Sequence, residues 1–162
     1  MNLSTLFRLR ENLNLDRKTL FILRWIAIIG QLTAINLVYF YLKLDFPILI
    51  AYVIISFGLI TNLYLQFGIS SIILKDLYAS IFLVFDLVQL AVLLYLTGGI
   101  SNPFSILMII PTIVSSTFLS MGTTIILGIL TIIFLFILSI FHHPLPGIHD
   151  ESVTFPKLYL VG

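Results

Sequence analysis

The chain has 162 residues, of which 60% are hydrophobic and 9% charged, with a mean hydropathy of +1.18; a soluble domain carries roughly 25% charged residues, so water is not its main solvent. A net charge of +1 recruits neither nucleic acid nor an acidic substrate. The absence of cysteine excludes a disulfide framework or a thiol switch within these residues.

The first segment, from Met1 to Arg24, mixes Arg, Glu, Asn and Asp with Leu and Phe, and predicts a cytoplasmic, partly amphipathic lead-in lying on the membrane. Five of the eight basic residues, Arg8, Arg10, Arg17, Lys18 and Arg24, fall here. Basic residues near the ends of spans mark the cytoplasmic side, which places the N-terminus inside the cell. The polar start is too long for a signal peptide, and an uncleaved first helix is expected.

A bilayer core about 30 Å thick requires about 20 mostly apolar residues in helical form. Spans are expected from Trp25 to Leu42, Pro47 to Leu65, Leu77 to Leu96, Phe104 to Leu119 and Thr123 to Phe141, with a sixth starting near Lys157. The fourth is short and carries Pro111. The fold expected is therefore an all-α, polytopic transmembrane helical bundle with five complete spans and the start of a sixth, the transmembrane domain occupying residues 25–162. Alternation puts residues 68–76 and Met121-Gly122 inside, and Lys43-Leu44-Asp45, residues 97–102 and the loop from His142 to Pro156 outside. Trp25, Tyr39, Tyr41, Tyr64, Tyr78 and Tyr95 fall near expected helix ends, where a ring with one wet edge is favoured. Gly30 with Ala34, and Ser116 with Ser120, have the small-xxx-small spacing of close helix approach.

Three places carry groups able to do chemistry. Asp86 falls near mid-bilayer in the third span, where a charge must be paired, neutral or turned inward. Gln89 shares its helical face, and Asn36 and Asn62 are candidate partners from other helices. Asp86 reads either as a polar pin, for which Asn would serve, or as a proton-linked or signalling group. Between the third and fourth spans lies Gly98-Gly99-Ile100-Ser101-Asn102-Pro103-Phe104. Paired glycines end one helix, Asn102 caps the next and Pro103 suits its first position, so a tight turn accounts for the composition; as a cap, Asp or Ser would serve almost as well as Asn. The outer loop gathers His142, His143 and His149 beside Asp150 and Glu151, at spacings that match no established metal site, and no metal is expected. The chain holds no phosphate loop and no nucleophile triad, so no catalytic residue is assigned.

The heptapeptide resembles the GGxxNPF motif of the RegB/PrrB redox-sensing membrane histidine kinases, and it occupies the same slot between the third and fourth of six helices. Gln89 to Thr97 before it, the Pro111-containing run after it, and Leu23-Arg24-Trp25 followed by Gln31 are similar to that family as well. The resemblance implies the N-terminal sensor part of a kinase in the bacterial inner membrane. It implies binding of ubiquinone or a similar quinone by Gly98, Gly99, Asn102, Pro103 and Phe104: Asn102 would donate to a carbonyl, Phe104 would pack on the ring, and the glycines would admit the head. It further implies contact with the quinone pool, a homodimer formed through a kinase part absent from this chain, ATP bound only there, and a cytoplasmic response regulator of the RegA/PrrA type. A small-molecule transporter or channel is the alternative, with Asp86, Gln31, Asn36 and Asn62 lining a path.

Overall fold

The computed structural model describes residues 15–41, 43 and 46–142. Helix α1, Arg17–Asn36, closes with a π-helical turn, Leu37–Tyr41; α2 is Ile48–Phe67 and α3 is Asp76–Leu96. A 3-10 turn, Gly99–Ser101, leads to a 3-10 stretch, Pro103–Ile109, that runs directly into α4, Ile110–Phe118. Helix α5, Met121–Ile140, follows. Among the described residues there is no strand, only an isolated antiparallel bridge between Asp16 and Ile73.

Four helices are long and apolar enough to cross a membrane: Arg17–Tyr41, Ile48–Phe67, Asp76–Leu96 and Met121–Ile140. The expected fourth span is the shorter apolar helix Pro103–Phe118, which falls below that length. Pro111 explains its two-part character. Proline offers no amide hydrogen to the carbonyl four residues back, and its ring crowds that carbonyl. Leu107 O instead receives the Ile110 amide, an i to i+3 bond that keeps the preceding turns 3-10. The expected sixth span lies outside the described residues, as do residues 1–14 of the lead-in.

The first helix starts at Arg17, well before the expected Trp25, so the boundary drawn after Arg24 falls inside a continuous helix. Its first turn is anchored. Arg17 N donates to Ile72 O at 3.0 Å, and the Arg17 guanidinium reaches the carbonyls of Gln66, at 3.2 Å, and Ile69, beyond the C-terminus of α2. A cation suits that end of a helix. At the same end Asp76 joins the starts of α3 and α5, accepting from Ser120 N (2.9 Å), Ser120 Oγ (2.8 Å) and Thr123 Oγ1 (2.5 Å). At the opposite end Gly99 packs on Leu138 and His142, beyond α5.

Helix α3 is central and packs against α2, α4 and α5, while α1 packs chiefly on α2. Polar groups are buried beside an apolar core, and the exterior is apolar too. Arg24, Asn62, Gln89, Thr97, Asn102, Ser115 and Thr131 are inside, whereas Ile26, Phe40, Leu49, Phe57, Ile60 and Phe136 are exposed. An apolar exterior of this extent is a lipid-facing surface.

Candidate functional site

The turn after α3 is built from its own residues. Gly98 (φ 100°) and Gly99 (φ 59°) take left-handed backbone conformations, which a side chain disfavours. A Cβ on Gly99 would also lie 2.5 Å from His142 Cβ and 2.7 Å from Leu138 O. Asn102 Oδ1 accepts from Phe104 N at 2.9 Å, and Pro103 holds the first helical position, so the capping expectation is met. The amide nitrogen has work of its own. Asn102 Nδ2 donates to Thr97 O at 3.1 Å and to Thr97 Oγ1 at 2.7 Å, and the residue is buried. An amide has two hydrogens, and both close the turn. The expectation that Asp or Ser would replace Asn102 as a cap therefore omits half of its bonds. Asn102, Phe104 and Thr97 border a narrow pocket of about 30 Å³ whose other walls come from α1 and α3.

Asp86 is paired, and its partner is Arg24. Arg24 Nε lies 3.0 Å from both carboxylate oxygens and Nη2 lies 2.8 Å from Oδ1 and from Thr61 Oγ1, tying α1, α2 and α3 together. The Arg24 side chain is 2% exposed and that of Asp86 19%. The guanidinium also sits 4.9 Å from the Phe82 ring centre, a cation–π contact. Charge pattern alone assigned Arg24 to the surface lead-in and Asp86 to Gln89, Asn36 or Asn62. None of those three bonds Asp86: Gln89 Nε2 donates to Gln31 Oε1 at 2.7 Å, Asn36 Oδ1 accepts from Tyr52 Oη at 2.9 Å, and Asn62 Nδ2 donates to Phe21 O at 3.4 Å. Each pins a pair of neighbouring helices. A signal that could have found Arg24 is its place seven residues before Gln31, two turns along the same helical face.

Beneath the turn, between α1, α3 and α4, lies a cavity of about 240 Å³ bordered by Arg24, Gly30, Gln31, Asp86, Pro111 and apolar side chains. Gly30 opens it. A Cβ there would meet nothing within 4 Å, so Gly30 lines the cleft, and its small-xxx-small spacing with Ala34 marks no close helix contact at that residue. His142 Nδ1 lies 3.1 Å from Leu138 O, and the rest of the histidine-bearing loop lies outside the described residues. No group of three metal-ligating side chains occurs among the described residues.

No protein-family model matches the chain, and no solved structure matches it. The sensor histidine kinase RegB of Cereibacter sphaeroides is 36% identical over 146 residues, 90% of this chain. The chain spans about a third of that relative's length, 32%. Membrane-length apolar helices and this likeness agree on a multi-pass membrane protein. The chain belongs to the RegB family of sensor histidine kinases and comprises a membrane sensor domain of that family.

Proposed function

We propose that the chain is the sensing part of a redox-responsive histidine kinase of the bacterial inner membrane, which binds a quinone between the turn at residues 97–104 and the helices beneath it. The likeness to RegB over nearly the whole chain carries this reading. The spaces beneath the turn support it: a narrow pocket reaches Asn102 and Phe104 and adjoins the larger cavity, and both are almost wholly apolar and bordered by α1 as well as α3. Asn102 shapes the site, the glycines bring the turn onto α5, Pro103 starts the next helix, and Phe104 offers its ring. Catalysis, ATP, homodimer formation and a response regulator of the RegA/PrrA type belong to the kinase part of the whole protein.

The N-terminus is cytoplasmic in this reading, and the chain crosses five times before residue 142, with a sixth crossing from near Lys157. Two observations support a crossing by Pro103–Phe118. Its seven 3-10 residues rise about 2.0 Å each, against about 1.5 Å in an α-helix, so the whole element reaches roughly 27 Å. Asp76 at the start of α3 bonds Ser120 before α5, so the chain has come back to the end from which α3 departs. The transporter alternative loses support, because the polar residues that would line a path are joined in separate pairs.

Titration of the purified chain in nanodiscs with a short-tailed ubiquinone tests the proposal. Saturable binding is expected, and Phe104→Ala should weaken it by about 1 to 3 kcal/mol if the ligand covers that ring. Equal binding by parent and variant would remove Phe104 from the site. In the intact kinase, autophosphorylation should change with the redox state of added quinone.

A further inference from the structure

The turn leaves little room for a ring. Both hydrogens of the Asn102 amide go to Thr97, Gly99 abuts His142, and the pocket beside them, about 30 Å³, is about an eighth the size of its 240 Å³ neighbour. The 240 Å³ cavity next to it shares Gln31, Leu90 and Leu107 as walls, so the two form one path from the turn toward mid-membrane. Almost everything facing that cavity is apolar. The polar exceptions are Arg24, Gln31 and Asp86.

One of these three has an unused donor that the cleft can reach. Gln31 Oε1 is held by Gln89 Nε2 at 2.7 Å, which leaves the Gln31 amide nitrogen without an acceptor among the described residues. Arg24 is committed through Nε and Nη2, and Nη1 is enclosed, with no exposed surface toward the cleft. Hydrocarbon supplies no acceptor, so the Gln31 nitrogen selects a ligand that brings its own.

Resting on the quinone reading above, we infer that the ring lies in this cleft beneath the turn, with Gln31 donating to one carbonyl. Leu83, Leu90 and Pro111 border the space for the ring. The turn then closes the upper end of the site and does not itself grip the head. Because Arg24 and Asp86 both border the cleft, the ligand lies beside the joint that links α1 to α3.

The experiment is the same nanodisc titration with a short-tailed ubiquinone, using three variants and a photoreactive azidoquinone. Gly30→Leu fills the cleft from a position where a Cβ has open space, and should reduce affinity more than tenfold. Gln31→Met removes one neutral hydrogen bond to the ligand and should weaken binding about three- to tenfold. Gln89→Met breaks the same bond between α1 and α3 but leaves the Gln31 nitrogen in place, and should stay within about twofold of the parent. The azidoquinone should label residues 107–114. Parent binding with all three variants unchanged, Gln31→Met and Gln89→Met weakened alike, or labelling confined to residues 97–104 would each overturn the cleft assignment while leaving quinone binding standing. A parent that binds no quinone would overturn the functional reading itself. Labelling decides the matter even if a variant fails to fold.

Discussion

Arg24 and Asp86 each carry a charge that hydrocarbon would reject alone, and each is tolerated inside the bundle because the other is there. Removing one partner leaves a buried charge without compensation, which costs about 3 to 5 kcal/mol, whereas replacing both with apolar residues of similar size can be close to neutral. Arg24→Met and Asp86→Leu should therefore each lower stability by that amount, and the double variant should recover most of it, as read by thermal unfolding in detergent. Asp86→Asn belongs with the damaging single changes, because its partner is a cation and not another amide. If both single variants unfold like the parent, the pair does not hold α1 to α3. Asn102 makes a similar argument without charge. Asp in its place keeps the acceptor for Phe104 N but sets an oxygen against the Thr97 carbonyl, 3.1 Å away, where a donor now sits. A loss of about 1 to 3 kcal/mol is expected from the same unfolding assay; unchanged stability would reduce Asn102 to a cap.

At the scale of elements, the turn between α3 and the 3-10 stretch is a packed joint. Gly99 combines a left-handed φ of 59° with a backbone that lies against Leu138 and His142. Gly99→Ala adds both backbone strain and a clash, and should cost about 1 to 3 kcal/mol by the same measurement. Ala at Gly30, where a Cβ meets nothing within 4 Å, should cost far less and is the matched control. Equal losses at the two glycines would mean that α5 does not pack on the turn. The 3-10 stretch owes its form to Pro111 behind it and Asn102 with Pro103 before it, so both ends of that element are set by short-range chemistry.

For the whole molecule, the contacts at its two ends determine the threading. Arg17 meets the segment that follows α2, and Asp76 meets Ser120, so the starts of α1, α3 and α5 share one end. The proposed cytoplasmic N-terminus predicts that reporters inserted after Ser70 and after Ser120 both read cytoplasmic, and that one after Ser101 reads periplasmic. Opposite locations for the first two would show that Pro103–Phe118 does not cross.

The membrane class, the all-helical fold, the positions of the long helices and the capped turn at Asn102 were legible in the sequence. Each depends on local chemistry: about 20 apolar residues in a row span hydrocarbon, and a cap bonds an amide two residues away. The start of α1 was misplaced for the same reason, since a local reading sends Arg24 to the surface when its partner is 62 residues distant. Only the tertiary structure decided which polar groups meet, namely Arg24 with Asp86, Gln31 with Gln89 and Asp76 with Ser120, and where the cleft opens. In a soluble helix the apolar stripe announces the buried face. In lipid the outward face is apolar as well, so that pattern fades, and the pairing of helices is written in contacts between residues far apart in the chain.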